Sequence, residues 1–322
     1  MQTAICTLFE DHYHYGVAAL VNSLYRQGYR GNIYAGYRGT LPFWATFPES
    51  KTSIDWKDSK SFDVADGLQL HFLQLNTDYH FTNYKPDFML LVWNTIAKEA
   101  EQFYYFDPDI VVTSPWNFFE EWVNCGVALC EDVNSPLAEY HPRRVAWRRY
   151  FLNKGIKLCY KNSIYVNGGF IGVEDKGFLV AWKNVQELMA LQIGGLNRSS
   201  LKGSPLHKSD QGPFAPFSKT DQDALNATIE AWDGKVSFAN KAGMAFEGGT
   251  TLVPHALGNP KPWYSKPMIQ ALYGHPPRLV DRVYWNSANG VVISQPYYLI
   301  RLRKFSIVCA AFIGRFYRKG AI

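Results

Sequence analysis

Two aspartates flank a proline at Asp107-Pro108-Asp109, directly after the apolar run Phe103-Tyr104-Tyr105-Phe106. The run reads as a buried strand, so the acids fall at its carboxyl end, the edge where open α/β sheets bind ligands. Hard carboxylate oxygens there suit Mg²⁺ or Mn²⁺ bridging a diphosphate. The pattern is short, and a solvated turn would carry the same residues. A second cluster lies far downstream, from His255 through Gly258 and Lys261 to Trp263. A neutral imidazole after a strand ending at Val253, Pro254 and His255 can complete a metal site with two carboxylates. Mixed nitrogen and carboxylate ligation favours Mn²⁺ over Ca²⁺. Gly258 permits close backbone approach to a phosphate, and Lys261 offers a cation where a departing diphosphate gathers charge. A Pro-rich surface turn with an incidental histidine is the competing account.

The elements that must position these residues follow from periodicity. Thr3–Phe9 reads as a buried strand, Val17–Tyr25 as a helix ending near Gly28, and Ile33–Tyr37 as a second strand, which makes one βαβ unit and a parallel sheet. A third strand is expected at Leu68–Leu75, a helix over Asp87–Ala100 with Pro86 in its first turn, and a strand at Gly126–Cys130. A helix over Arg143–Leu152 precedes a strand from Tyr165 to Val173 that a glycine pair, Gly168-Gly169, interrupts. Helices follow at Phe178–Leu191 and Asp221–Ala231. Between them, Gly194–Lys219 reads as a long loop of the kind that forms lids or binding loops.

Composition bounds the class. The 322 residues, 47% apolar and 19% charged, describe a globular chain with a substantial core. The 16% aromatic content suits a sugar-binding cleft, and suits an ordinary core better. Five cysteines, an odd number without framework spacing, read as buried inert thiols and favour a reducing compartment. The first strand begins at Thr3 without a basic leader, so no signal peptide is expected, and no stretch reaches the roughly 20 apolar residues of a bilayer span. The net charge of +5 is uneven: residues 282–322 hold seven Lys or Arg and no acid, leaving 26 basic against 28 acidic residues elsewhere. A nucleic-acid surface over the body is therefore not implied.

Together the two clusters resemble glycosyltransferase family 8, the group of glycogenin and the bacterial lipopolysaccharide galactosyltransferases. Its hallmarks are Asp-x-Asp early and His-x-x-Gly-x-x-Lys-Pro-Trp late, both present here in that order. Val166–Val173 is similar to its Asn-containing strand beside the donor sugar, and Asp221-Gln222-Asp223 to the segment facing the reacting carbon. The resemblance covers about residues 3–263. It implies that Asp107, Asp109 and His255 ligate Mn²⁺ (or Mg²⁺), that Gly258 and Lys261 hold the diphosphate, and that Asn167, Asp221 and Gln222 contact the sugar. Asp221 and Gln222 are the catalytic candidates, with Asp210-Gln211 as a possible decoy. The first loop matches less closely. Glu10 and Asp11 are either the family's paired acids for base and ribose or ordinary loop acids, with Thr7 at the same strand end. Lys85 is either a basic residue near the donor or an exposed lysine before Pro86. Pro108 and the Gly168-Gly169 pair depart from the family's usual residues, which leaves the donor sugar open.

The resemblance implies a GT-A type, Rossmann-like nucleotide-diphospho-sugar transferase fold. It has a mostly parallel central sheet, a catalytic domain over 1–280 and a basic helical extension over 281–322. The expected activity is metal-dependent transfer of a hexose from a nucleotide diphosphate sugar, UDP-sugar first, to a glycan or lipid-linked acceptor, with retention of configuration. An inverting nucleotide-sugar transferase of another lineage, or a silent sugar- or nucleotide-sugar-binding protein, is the alternative. His12 and His14 read as loop or core histidines. In the tail, Arg301, Arg303, Lys304, Arg315, Arg318 and Lys319 share one arc of about 160°, with Leu302, Phe305, Cys309, Phe312, Ile313 and Phe316 opposite. Such a helix either lies on an anionic membrane surface or packs on the domain. The membrane reading places the protein in the cytoplasm, peripheral on the inner face of the membrane.

Overall fold

In the computed structural model, residues 2–50, 54–201, 204–212 and 214–317 are described. Arg318 and Lys319 lie outside them. The chain runs β1 (Thr3–Glu10), α1 (His14–Arg26), β2 (Gly31–Arg38), β3 (Lys60–Ala65), β4 (Leu68–Gln74), α2 (Lys85–Thr95), β5 (Gln102–Phe106) and α3 (Trp116–Val123). It continues through β6 (Val127–Glu131), α4 (Pro142–Leu152), β7 (Val166–Val173), α5 (Lys176–Ile193), β8 (Arg198–Ser199), β9 (Ser204–Pro205) and α6 (Thr220–Ala231). The last elements are β10 (Val236–Ala239), α7 (Pro267–Leu272), α8 (Leu279–Ser287) and α9 (Tyr297–Phe316).

Eight strands form one sheet in the order β10-β6-β7-β5-β1-β2-β4-β3. Strand β1 pairs in parallel with both β2 and β5, as β2 does with β4 and β6 with β10, whereas β3 and β7 run antiparallel to their neighbours. The sheet is mixed and mostly parallel, as the sequence led us to expect. Helices cover both faces, which explains the near-continuous apolar strands. Ala4, Cys6 and Leu8 of β1 enter one core with α2, α5 and α6, while Ile5 and Phe9 enter the other with α1 and α3. The two-residue period does the same for β5, sending Phe103 and Tyr105 one way and Tyr104 and Phe106 the other.

The C-terminal elements join the body. Asn22 of α1 donates from Nδ2 to the carbonyls of Ser287 and Val292, both at 2.9 Å. Trp263, Tyr284, Trp285, Ile300 and Ile307 make a third, smaller core. Residue 281 falls inside α8.

Several local expectations need correction. Residues Val253 to His255 form no strand; His255 makes an isolated antiparallel bridge with Ile110. Cys125 is exposed, as is Cys159, while Cys6 and Cys130 are buried thiols whose pKa burial drives up. The loop at 194–219 carries the short parallel pair of β8 and β9. No described helix is long and apolar enough to cross a membrane.

Candidate functional site

Asp107 follows β5 directly, and its backbone N–H donates to the Gly169 carbonyl at 2.7 Å. Because β7 runs antiparallel to β5, the start of β7 lies beside the carboxyl end of β5. The pairing of β6 with β7 slips here: Leu129 faces Ile171, but Cys130 faces Asn167. The slack falls across Gly168 and Gly169. Irregularities of this kind re-aim side chains next to binding sites.

The downstream cluster reaches the acids through backbone pairing. The Val111 N–H donates to the Pro254 carbonyl and the Ala256 N–H to the Asp109 carbonyl, each at 3.1 Å. One ligand atom from each of Asp107, Asp109 and His255 then lies within 4.8 Å of the others. His255 Nε2 is 3.2 Å from Asp109 Oδ1 and 3.7 Å from Asp107 Oδ2.

Hydrogen bonding orients the imidazole. Asn167 Oδ1 accepts from the Gly169 N–H at 2.8 Å, which identifies the amide oxygen, because a backbone N–H only donates. That oxygen is 3.1 Å from His255 Nδ1, so Nδ1 carries the proton and donates. Nε2 is thus the ring nitrogen turned toward the two carboxylates, placed either to donate to Asp109 or to join both acids around a shared cation. One imidazole nitrogen and two carboxylates make a donor set that fits Mn²⁺ or Mg²⁺. Asn167 is held in turn by Asp132, whose Oδ2 accepts from Nδ2 at 2.7 Å. Gly169 supplies the space: a Cβ there would stand 2.6 Å from His255 Cε1.

Two buried lysines balance the acids. Lys261 Nζ donates to Asp109 Oδ2 at 2.5 Å and to the Ala256 carbonyl at 2.8 Å. Burial works against the Asp109 carboxylate, but His255 and Lys261 outweigh it and hold its pKa below the usual range. Lys85, 1% exposed, lies 3.1 Å from both Asp107 Oδ1 and Asp221 Oδ2 and donates to the Gly168 carbonyl at 2.8 Å. Burial disfavours its ammonium, yet Asp107 and Asp221 push its pKa up overall. The exposed-lysine reading of Lys85 is thus wrong; Lys85 opens α2, and its side chain is buried against Asp107, Asp221 and the Gly168 carbonyl.

The remaining candidates take several positions. Asp221 and Gln222 occupy the first turn of α6, and Gln222 Oε1 accepts from Asn167 Nδ2 at 3.4 Å. Gln222 Nε2 has no hydrogen-bond partner among the described residues. Asp210 sits in a separate short turn at Lys208–Asp210, and Gln211 bonds the Leu206 carbonyl, so this pair is apart from the Lys85 network. Thr7 is buried near the end of β1, its Oγ1 likewise unpartnered among the described residues. Glu10 closes β1 and pairs with Arg38 at 3.1 Å. Asp11 is exposed with a left-handed φ of 49°. Gly258 has φ +71° and open space around it, so backbone conformation and not crowding calls for glycine. His12 Nδ1 accepts from Trp263 Nε1 and His14 Nδ1 from Trp44 Nε1; burial, with His12 nearby, lowers the His14 pKa to about 4.

Sequence reasoning missed Tyr105 and Asp132. Tyr105 donates to Asp107 Oδ1 at 2.9 Å; its place two residues earlier on the same strand face was the available signal. Asp132 follows β6 as Asp107 follows β5, the same end-of-strand signal.

No protein-family model matches the sequence, and neither does any curated protein. Solved structures do. The apo WbbM bifunctional glycosyltransferase aligns with a TM-score of 0.51 at 14% identity, over 94% of this chain and 52% of that one. This chain therefore spans about half of that protein's length. An active-site mutant of LgtC aligns with a TM-score of 0.51 at 13% identity, over 93% of this chain and 99% of that one. The complex of galactosyltransferase LgtC with donor and acceptor sugar analogues gives 0.49 at 14% identity, with 93% and 99% covered. The fold is thus the GT-A glycosyltransferase fold. The architecture agrees with the fold that the family 8 resemblance of the two motifs implied.

Proposed function

We propose that this protein is a metal-dependent glycosyltransferase that moves a hexose from a nucleotide diphosphate sugar, UDP-sugar first, to a glycan or lipid-linked acceptor. The observation that carries the reading is the convergence of Asp107, Asp109 and His255, with Nε2 of His255 turned toward both carboxylates. Those three residues would hold Mn²⁺ or Mg²⁺, which supplies charge neutralisation for a departing diphosphate. The protein's own groups do the rest. Lys261 is placed to exchange its bond to Asp109 for one to a phosphate oxygen, a contact contributing about 3 kcal/mol to a charged transition state. The φ of Gly258 turns backbone toward the same region. Thr7, Glu10 and Asp11, at the end of β1 beside β5, are assigned to the nucleoside.

Lys85 holds Asp221 and thereby α6, so that Asp221 and Gln222 face the donor sugar beside Asn167. Retention of configuration is the proposed outcome. Gln222 is an amide and a poor nucleophile, which favours attack from the leaving-group face over a covalent intermediate; Asp221 is the carboxylate available if one forms. An inverting enzyme predicts the opposite anomer, and a silent binder predicts no product.

The deciding experiment is a nucleotide-sugar panel with Mn²⁺, comparing wild type with His255→Ala and reading donor hydrolysis, transfer and product anomer. Turnover that His255→Ala reduces by about two orders of magnitude supports the reading. Turnover indifferent to His255, or no donor binding at all, removes it.

A further inference from the structure

Helix α9 has three faces where the sequence suggested two. Ile300, Ile307, Ala310 and Gly314 form the stripe buried against the body. Gly314 makes close packing possible, since a Cβ there would stand 2.9 Å from Pro276 Cβ. Turned away from this stripe, Leu302, Phe305, Phe312 and Phe316 are 59%, 65%, 60% and 78% exposed. Arg301, Lys304 and Arg315 are exposed along one edge of that apolar face. Helix α7 packs along α9 and adds exposed Ile269 and Leu272. Between residues 264 and 317 the sole carboxylate is Asp281, which is buried and paired with Arg278 at 2.9 Å.

We propose that α7 and α9 form a docking face for an anionic lipid surface, with α9 lying in the headgroup plane. Its aromatic residues face the acyl boundary and Arg301, Lys304 and Arg315 face the phosphates. A large apolar face flanked by basic residues is the composition of an interfacial helix. A second copy of the chain fits less well. It would leave the three cations without an acidic partner, since no carboxylate lies on this surface to pair them. The proposal is independent of the chemistry at Asp109 and is tested without donor.

The full-length protein is sedimented with phosphatidylglycerol-containing vesicles and with pure phosphatidylcholine vesicles. The expected result is binding to the former that weakens with salt, and at least about tenfold weaker binding to the latter. The triple variant Arg301→Gln, Lys304→Gln, Arg315→Gln loses about a hundredfold in vesicle affinity. The pair Phe305→Ser with Phe312→Ser also loses binding and leaves Tm unchanged, because both rings are already exposed. No binding to anionic vesicles, or variants that bind like wild type, overturns the proposal. So does a wild-type dimer in solution that the phenylalanine pair converts to monomer, which assigns the face to a second copy.

Discussion

Lys261 Nζ occupies one oxygen of Asp109 at 2.5 Å, on a carboxylate whose other oxygen faces His255. At the proposed metal site the lysine therefore stands where an entering divalent ion would compete. A buried hydrogen bond to a charged partner contributes about 1.5–3 kcal/mol, so Lys261→Met is expected to bind Mn²⁺ about ten- to a hundredfold more tightly in the absence of donor. The same variant is expected to lose donor binding and turnover. Free Mn²⁺ measured by electron paramagnetic resonance checks the first half; unchanged or weaker metal binding contradicts it.

The bond from Asp132 through Asn167 to His255 Nδ1 orders an imidazole before any ion arrives. Breaking such outer contacts typically weakens metal affinity by about ten- to a hundredfold. Asn167→Leu and Asp132→Asn should each show that loss in a Mn²⁺ titration, with Asn167→Leu the larger. If neither alters affinity, the hydrogen bonds do not position the ligand.

Helix α1 and the loop of the paired acids touch at Gly16. A Cβ there would fall 2.0 Å from the Pro108 carbonyl oxygen, a backbone atom that cannot swing aside. Gly16→Ala should lower stability by about 1–3 kcal/mol and weaken Mn²⁺ binding by displacing Asp107 and Asp109. A thermal melt beside a metal titration separates the two effects, and a variant with wild-type values for both refutes the contact.

Asp223, in the first turn of α6, is fully buried, and burial raises its pKa to about 7 against the opposing influence of Arg143 and the Lys219 N–H. The folded chain thus keeps a proton that the unfolded chain releases near pH 4. Asp223 consequently contributes less stability as pH rises from about 4 to 7. Asp223→Asn should gain on wild type across that window in denaturant melts. A difference that is flat or opposite in slope excludes a protonated Asp223.

How much of this was legible in the sequence depends on the range of the cause. Asp107 and Asp109 could be placed because strand periodicity ends beside them, and His255 with Lys261 because their spacing is long and specific. Tyr105 was within reach of local strand alternation, but the role of Asp132 depends on β7 inserting antiparallel between β5 and β6, a pairing that local pattern does not encode. Lys85 could not be decided from local pattern, because the two carboxylates that bury it come from distant segments. The buried stripe of α9 was hidden by its smallest members, Ala310 and Gly314, because the bulkier Phe305 and Phe312 dominate the apolar pattern although they stay exposed.

The antiparallel bridge between Ile110 and His255 has one more consequence. During synthesis the acidic pair leaves the ribosome long before its imidazole and its lysine, which lies 152 positions beyond Asp109. A nascent chain halted before residue 255 can lay down much of the sheet and still own only half a binding centre. Loading with an ion would then rivet early and late parts of the polypeptide together, so chelation should loosen the whole body and not merely silence one corner of it.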